Sequence, residues 1–419
     1  MAMDVTHTYD VLVVGGGPAG AAAAYALATK GHDVLVVERK QFPRDKTCGD
    51  ALTPRAVHAL HQMGLAPQLA SFHRYTGLRT LAHGRQVALT WPEHRSFPDH
   101  GYVTKRHTLD KLVLDHAAAA GATVRDGTEA VSPIIERGFV RGAVLRDAEA
   151  DATTSVRARY VVVADGANSR FGRSLGTTRD KGWPFGTAIR GYWESPLHTE
   201  PLIESTLGIT DRDGRPLPGY GWVFPLGDGT VNVGVGLLST SRDFKSVNTT
   251  QLLGEFVASA SQRWELTSEA PTDEPRAARL PMGGSVGPKS GPTYLVVGDA
   301  AGTVNPFNGE GIAYAYETGR MAGDVLHEAL STNDPRALTQ YARQLDDTYG
   351  LYFKVARLFA RVVGRPLVLR KLSWVTIHSR TLMEWMVRIM SNTLQPDEAG
   401  PAEAAYRAMA RIARLFPEA

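Results

Sequence analysis

The sequence has 419 residues, of which 43% are hydrophobic and 21% are charged, and these proportions are typical of a soluble globular protein. A chain of this length exceeds one small core and predicts two or more domains. The net charge of +3, without a basic tail or an RNA-binding motif, argues against a nucleic-acid partner. The single cysteine, Cys48, excludes an internal disulfide and a zinc site built on paired cysteines, and it favours a reducing compartment.

The N-terminal segment, MAMDVTHTYD, contains acidic residues and leads directly into a strand pattern, which is not typical of a signal peptide. The stretch 9–28 is nearly uncharged, but its Gly-Gly-Gly-Pro interruption favours a buried strand, turn and helix over a membrane span. We therefore expect a cytoplasmic protein.

Strand-like and helical patterns alternate along much of the chain. The runs at 10–14, 34–38 and 160–164 predict strands, whereas 21–30 and 108–120 have a helical pattern. This alternation is typical of a parallel sheet that is covered by helices.

The pattern changes between about residues 185 and 276. There, 221–226 and 230–238 flank a Gly-Asp-Gly turn and predict an antiparallel hairpin. After a strand at 294–297 and a glycine-rich segment, residues 312–415 are mainly helical in pattern. The fold class predicted is therefore α/β plus an antiparallel sheet. We assign 1–74, 101–184 and 277–345 to a nucleotide-binding domain, 75–100 and 185–276 to an inserted antiparallel β substrate domain, and 346–419 to a helical C-terminal region.

A glycine-rich turn follows the first predicted strand. In VLVVGGGPAGAAAAYALA, Gly15, Gly17 and Gly20 form a Gly-x-Gly-x-x-Gly pattern that opens a helix. The first glycine permits a tight turn, the second lets the backbone approach a pyrophosphate, and the third lets helix and strand pack closely. Glu38 ends the next strand, where a carboxylate binds an adenosine ribose. The candidate nucleotide-binding residues here are Gly15, Gly17, Pro18, Ala19, Gly20, Glu38 and Arg39.

Two later segments distinguish FAD from NAD. ARYVVVADGANSR places Asp165 at a strand end, and TYLVVGDAAGTVNPFNGEGI places Asp299 at another, followed by Gly309-Glu310-Gly311. Both segments resemble the paired signatures of the FAD-dependent hydroxylase superfamily, in the same order and with similar spacing. The resemblance implies a Rossmann-type FAD-binding domain with Asp165 and Asp299 at the cofactor, Asp299 at the ribityl chain, and Gly309, Gly311 and Ile312 beside the pyrimidine edge of the flavin.

The same resemblance places Arg106, in TKRHTLDKLV, at the phosphate and ribityl region of FAD. The alternative is a surface charge at the start of a helix. A helix that begins near Gly311 would direct its positive dipole end at the N1 and O2 edge of reduced flavin and stabilise the negative charge there.

Three aromatic residues stand two apart in the segment PGYGWVFP. In an extended strand, Tyr220, Trp222 and Phe224 share one face. This Tyr-x-Trp-x-Phe-Pro run resembles the geranylgeranyl reductase family, in which the strand lines the pocket that holds an isoprenoid chain against the flavin. The family pattern has a proline three places before the tyrosine, where this chain has Leu217. The alternative is that the three rings are ordinary core residues of a sheet.

The loop FPRDKTCGDALTPRAV resembles the same family, and its Cys48 and Gly49 are further candidates for contact with the cofactor. Within the family, the likeness is to the menaquinone reductases and extends over nearly the whole chain. It implies an FAD-dependent reductase that saturates one C=C bond in the isoprenoid tail of menaquinone. The alternatives are a reductase of geranylgeranyl diphosphate or of a geranylgeranyl lipid, a hydroxylase or epoxidase on the same fold, and a flavoprotein that transfers electrons or binds a partner without reducing an alkene.

The chemistry implied is addition of hydride from flavin N5 to one alkene carbon and of a proton to the other. The faces of Tyr220 or Trp222 would stabilise positive charge that develops on the tertiary carbon. Cys48, Tyr220 and water are all candidate proton donors, and the alternative for Cys48 is a small buried apolar residue. No second dinucleotide motif and no metal-ligand spacing is present, so the sequence leaves the electron donor open.

The segment 351–392 combines basic and apolar residues. It contains eight Lys and Arg residues but one acid, Glu384, together with interleaved Leu, Phe, Val and Trp residues. Cationic amphipathic helices of this kind lie in the headgroup plane of anionic membranes. We expect peripheral attachment to the cytoplasmic face of the cell membrane. The alternative is a helical cap that packs on the FAD domain.

Overall fold

The structure is a computed structural model, which describes residues 7–210, 214, 216–241, 244–268, 270–395 and 398–416. The first six residues of the N-terminal segment considered above lie outside this range. The strands are β1 (Thr8–Val14), β2 (Val34–Val37), β3 (Ala51–Leu52), β4 (His73–Tyr75), β5 (Gly77–Ala82), β6 (Arg85–Thr90), β7 (Gly101–Val103), β8 (Thr123–Arg125), β9 (Thr128–Glu136), β10 (Phe139–Asp147), β11 (Thr153–Val163), β12 (Thr178–Arg179), β13 (Phe185–Glu194), β14 (Leu202–Leu207), β15 (Gly219–Pro225), β16 (Thr230–Leu238), β17 (Arg276–Pro281), β18 (Val286–Gly287), β19 (Ser290–Gly291) and β20 (Tyr294–Val296).

The α-helices are α1 (Pro18–Ala28), α2 (Pro54–Gln62), α3 (Ala66–Leu69), α4 (Arg106–Ala119), α5 (Arg170–Ser174), α6 (Thr249–Trp264), α7 (Ile312–Thr332), α8 (Leu338–Leu345), α9 (Leu351–Val363), α10 (Pro366–Ile377), α11 (Arg380–Met390) and α12 (Pro401–Arg414). Short 3₁₀ helices span Phe244–Ser246, Gly298–Ala301 and Pro335–Ala337, and a π-helical turn at Asp346–Gly350 joins α8 to α9.

Among the described residues, the largest sheet has eight strands and a parallel centre in the order β20-β11-β1-β2-β8. Its strands β1, β2 and β20 and the last part of β11 are rich in Val and Leu and are buried on both faces, as expected for a parallel sheet that is covered on both sides. One face packs on α1, α4 and α7, and β9 and β10 extend the sheet as an antiparallel hairpin from the first part of β11. The predicted alternation of strands and helices is confirmed.

A second sheet has the order β17-β13-β16-β15-β14-β5-β6 and is antiparallel apart from the β14–β5 pair. The predicted hairpin is confirmed, since β15 and β16 pair from Gly219 opposite Leu237 to Pro225 opposite Val231. Helix α6 covers one face of this sheet, where its Phe256 and Trp264 join the valines of β15 and β16 in a core. The opposite face is therefore directed away from α6.

Two connections bring the sheets together. A small sheet, β3-β7-β4, links the loop after β2 to the start of β5, and the chain from β17 to β20 returns to the first sheet. Helix α7 begins where this returning chain ends. The aromatic strand β15, the loop before β3 and the start of α7 therefore meet at the junction of the two sheets.

Candidate active site

The turn between β1 and α1 has no room for side chains. Gly15 has φ +108°, and a Cβ placed there would lie 2.3 Å from the Ala164 carbonyl oxygen. A Cβ on Gly20 would lie 1.9 Å from the Gly15 carbonyl oxygen, so α1 packs directly on the turn. Pro18 begins the helix and Gly17, without a side chain, precedes it. The first-turn N–H groups therefore stay open to an anionic ligand.

Glu38 is buried at the end of β2 and faces this turn. Its Oε2 accepts a hydrogen bond from the Gly16 backbone N–H at 3.1 Å, and its Oε1 accepts one from the Lys40 N–H at 3.2 Å. The carboxylate thus lies beside the glycine turn. Arg39, the next residue, is exposed.

Arg44 was not singled out from the sequence, although it belongs to the FPRDK loop. Its Nη2 is the atom nearest to a Cβ placed on Gly17, at 3.3 Å, and its Nη1 lies 2.9 Å from Oδ2 of Asp110. Its Nε lies 3.7 Å from Glu38. A nearly buried guanidinium beside an open helix N-terminus matches the charge of a pyrophosphate. The residues at this turn therefore fit a dinucleotide cofactor.

Arg106 begins α4 and is 6% exposed, so the alternative of a surface charge is wrong. Its Nε and Nη2 donate to the two carboxylate oxygens of Asp110 at 2.7 and 2.8 Å. The guanidinium also lies close to Cys48. Burial raises the pKa of the Cys48 thiol, although the nearby charge of Arg106 opposes this effect. The thiol is therefore neutral at physiological pH.

The two aspartates of the later signatures have different environments. Asp165 accepts hydrogen bonds from the Ser169 hydroxyl at 2.7 Å and from the Phe171 N–H at 2.8 Å. Both oxygens of its carboxylate therefore bind groups at the start of α5. Burial raises the pKa of Asp165. Asp299 is partly exposed, and its Oδ2 lies 3.7 Å from Lys46 Nζ. A Cβ on Gly311 would lie 3.3 Å from Oδ1 of Asp299, which brings the aspartate to the start of α7.

The loop before α7 contains the Gly309-Glu310-Gly311 motif and leads directly into the helix, as the sequence predicts. Gly309 has φ +77°, and its N–H donates to the Asn305 carbonyl at 2.9 Å. Gly311 precedes Ile312, the first residue of α7, and no acidic side chain lies in the first turn. The positive end of the dipole of this 21-residue helix is therefore directed at the loop, and no carboxylate in the first turn of α7 neutralises it.

The rings of Tyr220, Trp222 and Phe224 form a row on one face of β15, which we call the aromatic wall. Successive ring centroids are 5.9 and 6.1 Å apart. The opposite face carries Gly221, where a Cβ would lie 2.3 Å from the Phe256 ring of α6. The wall is therefore on the face away from the α6 core. Trp222 is buried, whereas Tyr220 and Phe224 are partly exposed.

The wall contacts the loop that contains Cys48. A Cβ on Gly49 would lie 3.0 Å from the Phe224 ring and 3.4 Å from Trp222 Nε1, so a glycine is needed for this close approach. The six-membered ring of the indole lies against Gly234 of β16, where a Cβ would lie 2.1 Å from it. Glycine at both positions leaves room for the indole.

Hydrogen bonds connect the wall to both neighbouring loops. Trp222 Nε1 donates to Oδ1 of Asn232 at 2.9 Å, and the Asn232 Nδ2 donates to the Cys48 carbonyl at 2.9 Å. The Tyr220 hydroxyl donates to the Asn308 carbonyl at 2.7 Å. The aromatic strand, the Cys48 loop and the start of α7 are therefore one connected site.

Comparisons with known proteins identify the family. Residues 8–188 match the family model described as FAD binding domain. The chain is 41% identical to a menaquinone reductase of Mycobacterium tuberculosis, over 99% of this chain and 98% of that protein. It is 33% identical to digeranylgeranylglycerophospholipid reductase 2 of Methanopyrus kandleri, over 83% of this chain and 85% of that protein. The chain belongs to the geranylgeranyl reductase family of FAD-dependent oxidoreductases. Its cofactor is FAD, as the sequence predicted.

Solved structures confirm the predicted fold class of this family member. A geranylgeranyl bacteriochlorophyll reductase-like protein from Thermoplasma acidophilum aligns with a TM-score of 0.77 at 24% identity, covering 96% of this chain and 99% of that one. A flavin-dependent brominase aligns with a TM-score of 0.73 at 18% identity, covering 98% of this chain and 100% of that one.

Further site residues of this geranylgeranyl reductase family member escaped the sequence analysis. Asp50 is 0% exposed, and its Oδ2 accepts from the Tyr192 hydroxyl at 2.6 Å and from Asn232 Nδ2 at 2.8 Å. Burial raises the pKa of Asp50 to about 6. Tyr192 and Asn232 are separated from Asp50 by 142 and 182 residues in the chain, so no local pattern connects them. The sequence feature that could have identified Asp50 as a site residue is its position directly after Cys48-Gly49.

Proposed function

We propose that this protein reduces one C=C bond of a polyprenyl chain and that its substrate is the isoprenoid tail of menaquinone. The observation that carries the proposal is the aromatic wall, which faces away from the α6 core and contacts both the Cys48 loop and the loop before α7. Two related proteins that span the chain nearly end to end, from Mycobacterium tuberculosis and Mycolicibacterium smegmatis, are named menaquinone reductases, each 41% identical to it.

The wall suits a substrate that hydrogen bonds cannot orient. An isoprenoid is apolar, and rigid aromatic faces hold a trisubstituted alkene flat at low entropic cost. Trp222 is fixed by its hydrogen bond to Asn232 and by close packing against Gly49 and Gly234, and Tyr220 is fixed by its hydrogen bond to Asn308. Their positions are therefore set before substrate binds.

Bound FAD, when reduced, supplies hydride for the reaction. Burial raises the pKa of Tyr220 to about 12, with the charges of Cys48 and Glu310 adding to this effect, so its phenol stays neutral at physiological pH. The rings of Tyr220 and Trp222 then present their faces to positive charge that develops on the tertiary carbon.

We assign the cofactor to the groups that surround the glycine turn and the start of α7. Glu38 is placed for the ribose, Arg44 and the first turn of α1 for the pyrophosphate, and Asp299 with Lys46 for the ribityl chain. Arg106, whose guanidinium is held by Asp110, lies between this region and Cys48. Their roles are to bind and orient the cofactor beside the wall.

A geranylgeranyl lipid is the second candidate substrate. The observation that favours it is the match to digeranylgeranylglycerophospholipid reductases, at 33% identity for one from Methanopyrus kandleri. The higher identity to menaquinone reductases, over nearly the full length of both chains, favours the quinone tail.

We also propose that α10 contacts the membrane surface on the cytoplasmic leaflet. Its exposed residues recur at helical spacing on one face, at Leu367, Arg370, Lys371, Trp374 and Val375. Leu367 is 67% and Trp374 is 54% exposed, which is unusual for such large apolar side chains unless a partner covers them. Basic residues beside them complement anionic lipid headgroups.

Helix α9, which precedes α10, packs largely on the rest of the protein. Tyr352, Phe353 and Val355 of α9 are buried in the main core, so much of its apolar face packs on the FAD domain, as the helical-cap alternative expects. None of the helices in the described part of the chain is long and apolar enough to cross a bilayer.

The test of the proposed function uses purified protein that is chemically reduced without oxygen and mixed with menaquinone in detergent. Mass spectrometry of the lipid should show a gain of two hydrogens, which fragmentation assigns to one isoprene unit. A digeranylgeranylglycerophospholipid in a parallel reaction tests the second candidate. An unchanged quinone, with FAD bound and reducible, would overturn the menaquinone assignment.

A further inference from the structure

Glu310 is a partly buried residue near the aromatic wall whose carboxyl oxygen Oε2 is enclosed, and the reaction proposed above leaves its proton donor open. It lies between Gly309 and Gly311 in the loop before α7. Its Oε1 accepts a hydrogen bond from the Thr53 hydroxyl. Its Oε2 is enclosed and has no hydrogen-bond partner among the described residues. A carboxylate with one bare, buried oxygen is unfavourable, whereas a neutral acid at this position has a proton to donate.

The position of Glu310 relative to the wall is set by the same loop. The preceding residues hold Tyr220, since the Asn308 carbonyl accepts from its hydroxyl and a Cβ on Gly309 would lie 4.0 Å from that hydroxyl oxygen. The charge of Glu310 influences the pKa of Tyr220 together with that of Cys48. Glu310 therefore lies at the Tyr220 end of the wall, on the loop that also leads into the positive end of α7.

Charged and titratable groups from several elements surround Glu310. Arg55 of α2 and Glu317 of α7 form an ion pair, with Nε to Oε1 at 2.7 Å. Three tyrosines also lie within its electrostatic reach, Tyr75 of β4, Tyr220 of β15 and Tyr314 of α7. Burial raises the pKa of Glu310 to about 7 and Glu317 adds to this effect, while Thr53 and Arg55 oppose it. The acid is therefore half protonated near neutral pH.

Glu310 is also the stronger acid among the groups near Tyr220. Burial raises the pKa of the Cys48 thiol above its ordinary value and that of Tyr220 to about 12. Protonation of an alkene requires an acid that is as strong as possible while still holding its proton at the working pH. Asp50 is the other buried acid at the site, and its Oδ1 likewise has no hydrogen-bond partner among the described residues, but its Oδ2 accepts two hydrogen bonds that hold Tyr192 and Asn232.

We infer that Glu310 delivers the proton to the alkene carbon that does not receive hydride, an inference that rests on the proposed function. The O–H bond of Glu310 breaks, and its proton forms a new C–H bond with the electron pair of the alkene π bond at the less substituted carbon. Bound FAD, when reduced, would supply the hydride with its two electrons for the tertiary carbon. Glu310 is left as a carboxylate and regains a proton from solvent, so one hydride and one proton account for the two added hydrogens.

The test compares wild-type holoenzyme with Glu310→Gln, which keeps the shape of the side chain and an acceptor for Thr53. In anaerobic reactions with menaquinone, we expect the variant to lose at least about 100-fold in the rate of tail saturation. The wild-type rate should fall as the pH rises through about 7, and this dependence should be absent from the variant. FAD content and the visible spectrum should be unchanged.

A second readout does not depend on activity. Infrared difference spectra of the oxidised holoenzyme should contain a protonated-carboxyl band that disappears as the pH rises through about 7, and Glu310→Gln should lack this band. Thr53→Val removes a hydrogen bond to the carboxylate and should move both the band and the rate profile to higher pH. Thr53→Ser, which retains the hydroxyl, is the matched control.

Asp50→Asn distinguishes the two buried acids. It should retain the band that titrates near pH 7 and the pH dependence of the rate that Glu310 causes. If Glu310→Gln keeps the wild-type rate and pH profile, the proton role is overturned while the proposed function stands. If the wild-type enzyme saturates no prenyl chain, the proposed function fails and the proton role fails with it.

Discussion

The hydroxyl of Tyr220 donates a hydrogen bond to the carbonyl of Asn308 at 2.7 Å, and this bond joins the aromatic strand to the loop before α7. One residue of the aromatic wall is thereby positioned by the loop from which α7 begins. Tyr220 therefore connects the two parts of the site. Its ring belongs to the aromatic wall, and its hydroxyl binds the loop before α7.

Tyr220→Phe keeps the ring and removes the bond to Asn308. A neutral hydrogen bond contributes about 0.5–1.5 kcal/mol, so we expect the rate of tail saturation to fall about 2- to 10-fold. Tyr220→Ala removes the ring as well and should cost about 100-fold through loss of positioning. Single-turnover assays with prereduced enzyme measure both. Equal losses in the two variants would show that the ring itself contributes nothing.

Asn232→Ala should affect both stability and activity, because Asn232 bonds Trp222, the Cys48 carbonyl and Asp50 at once. Leaving these buried groups unpaired should lower the free energy of unfolding by about 2–4 kcal/mol, measured by urea denaturation. Asn248→Ala is the control, since Asn248 caps α6 away from the wall and should cost about 1 kcal/mol without loss of activity. An unchanged rate in Asn232→Ala would contradict the positioning of Trp222.

Arg44→Ala tests the assignment of Arg44 to the pyrophosphate. Its guanidinium is nearly buried over the glycine turn, where a charge-assisted contact contributes about 1.5–3 kcal/mol. We expect FAD affinity to fall about 10- to 100-fold, measured by fluorescence titration of apoprotein. Lys40→Ala, at an exposed cation in the same loop, should bind FAD as the wild type does. Wild-type affinity in Arg44→Ala would remove Arg44 from the cofactor site.

The buried acid Glu310 predicts a specific dependence of stability on pH. Its pKa is raised from 4.5 to about 7 in the folded protein, so folding favours the protonated form. Its contribution is fully present below pH 4.5 and is lost as the pH rises through about 7. Relative to wild type, Glu310→Gln should therefore gain about 3 kcal/mol of unfolding free energy over this interval.

Chemical denaturation at a series of pH values checks this expectation. Glu384→Gln is the control for the substitution itself, because Glu384 pairs with Arg380 on the exposed surface. If the difference between wild type and Glu310→Gln does not change with pH, then the carboxyl of Glu310 is not perturbed by burial.

Replacing Leu367 and Trp374 by serine should weaken membrane binding, because these exposed side chains supply the apolar part of the α10 surface. We expect sedimentation with vesicles that contain anionic lipid to fall by about 10-fold or more, and salt to release the wild type. Ile135→Ser is the matched control, since Ile135 is comparably exposed, at 53%, on β9. Equal sedimentation of the α10 variant and the wild type would contradict membrane contact through α10.

The glycine turn, the strand before it and the placed acid were determined by the sequence itself. Gly15 has a positive φ of +108° and Gly20 packs directly on the Gly15 carbonyl, and both requirements arise within a short segment, so the spacing of the two glycines indicates the turn. The alternation along β15 likewise puts Tyr220, Trp222 and Phe224 on one face, because successive side chains of an extended strand point to opposite sides. Features that depend on neighbours in the chain are therefore predictable from local patterns.

Only the tertiary structure decided which groups surround the wall. Asp50 meets Tyr192 and Asn232 across 142 and 182 residues, and Thr53 meets Glu310 across 257. The sequence placed Arg106 near the cofactor but left open whether it was a surface charge, and it contained no sign of the bare buried oxygen of Glu310. Burial and hydrogen-bond satisfaction depend on atoms that distant segments bring together, and these determine which acid holds a proton. The sequence by itself determined the family, the cofactor and the wall, and the packing of the two sheets decided the chemistry of the groups around them.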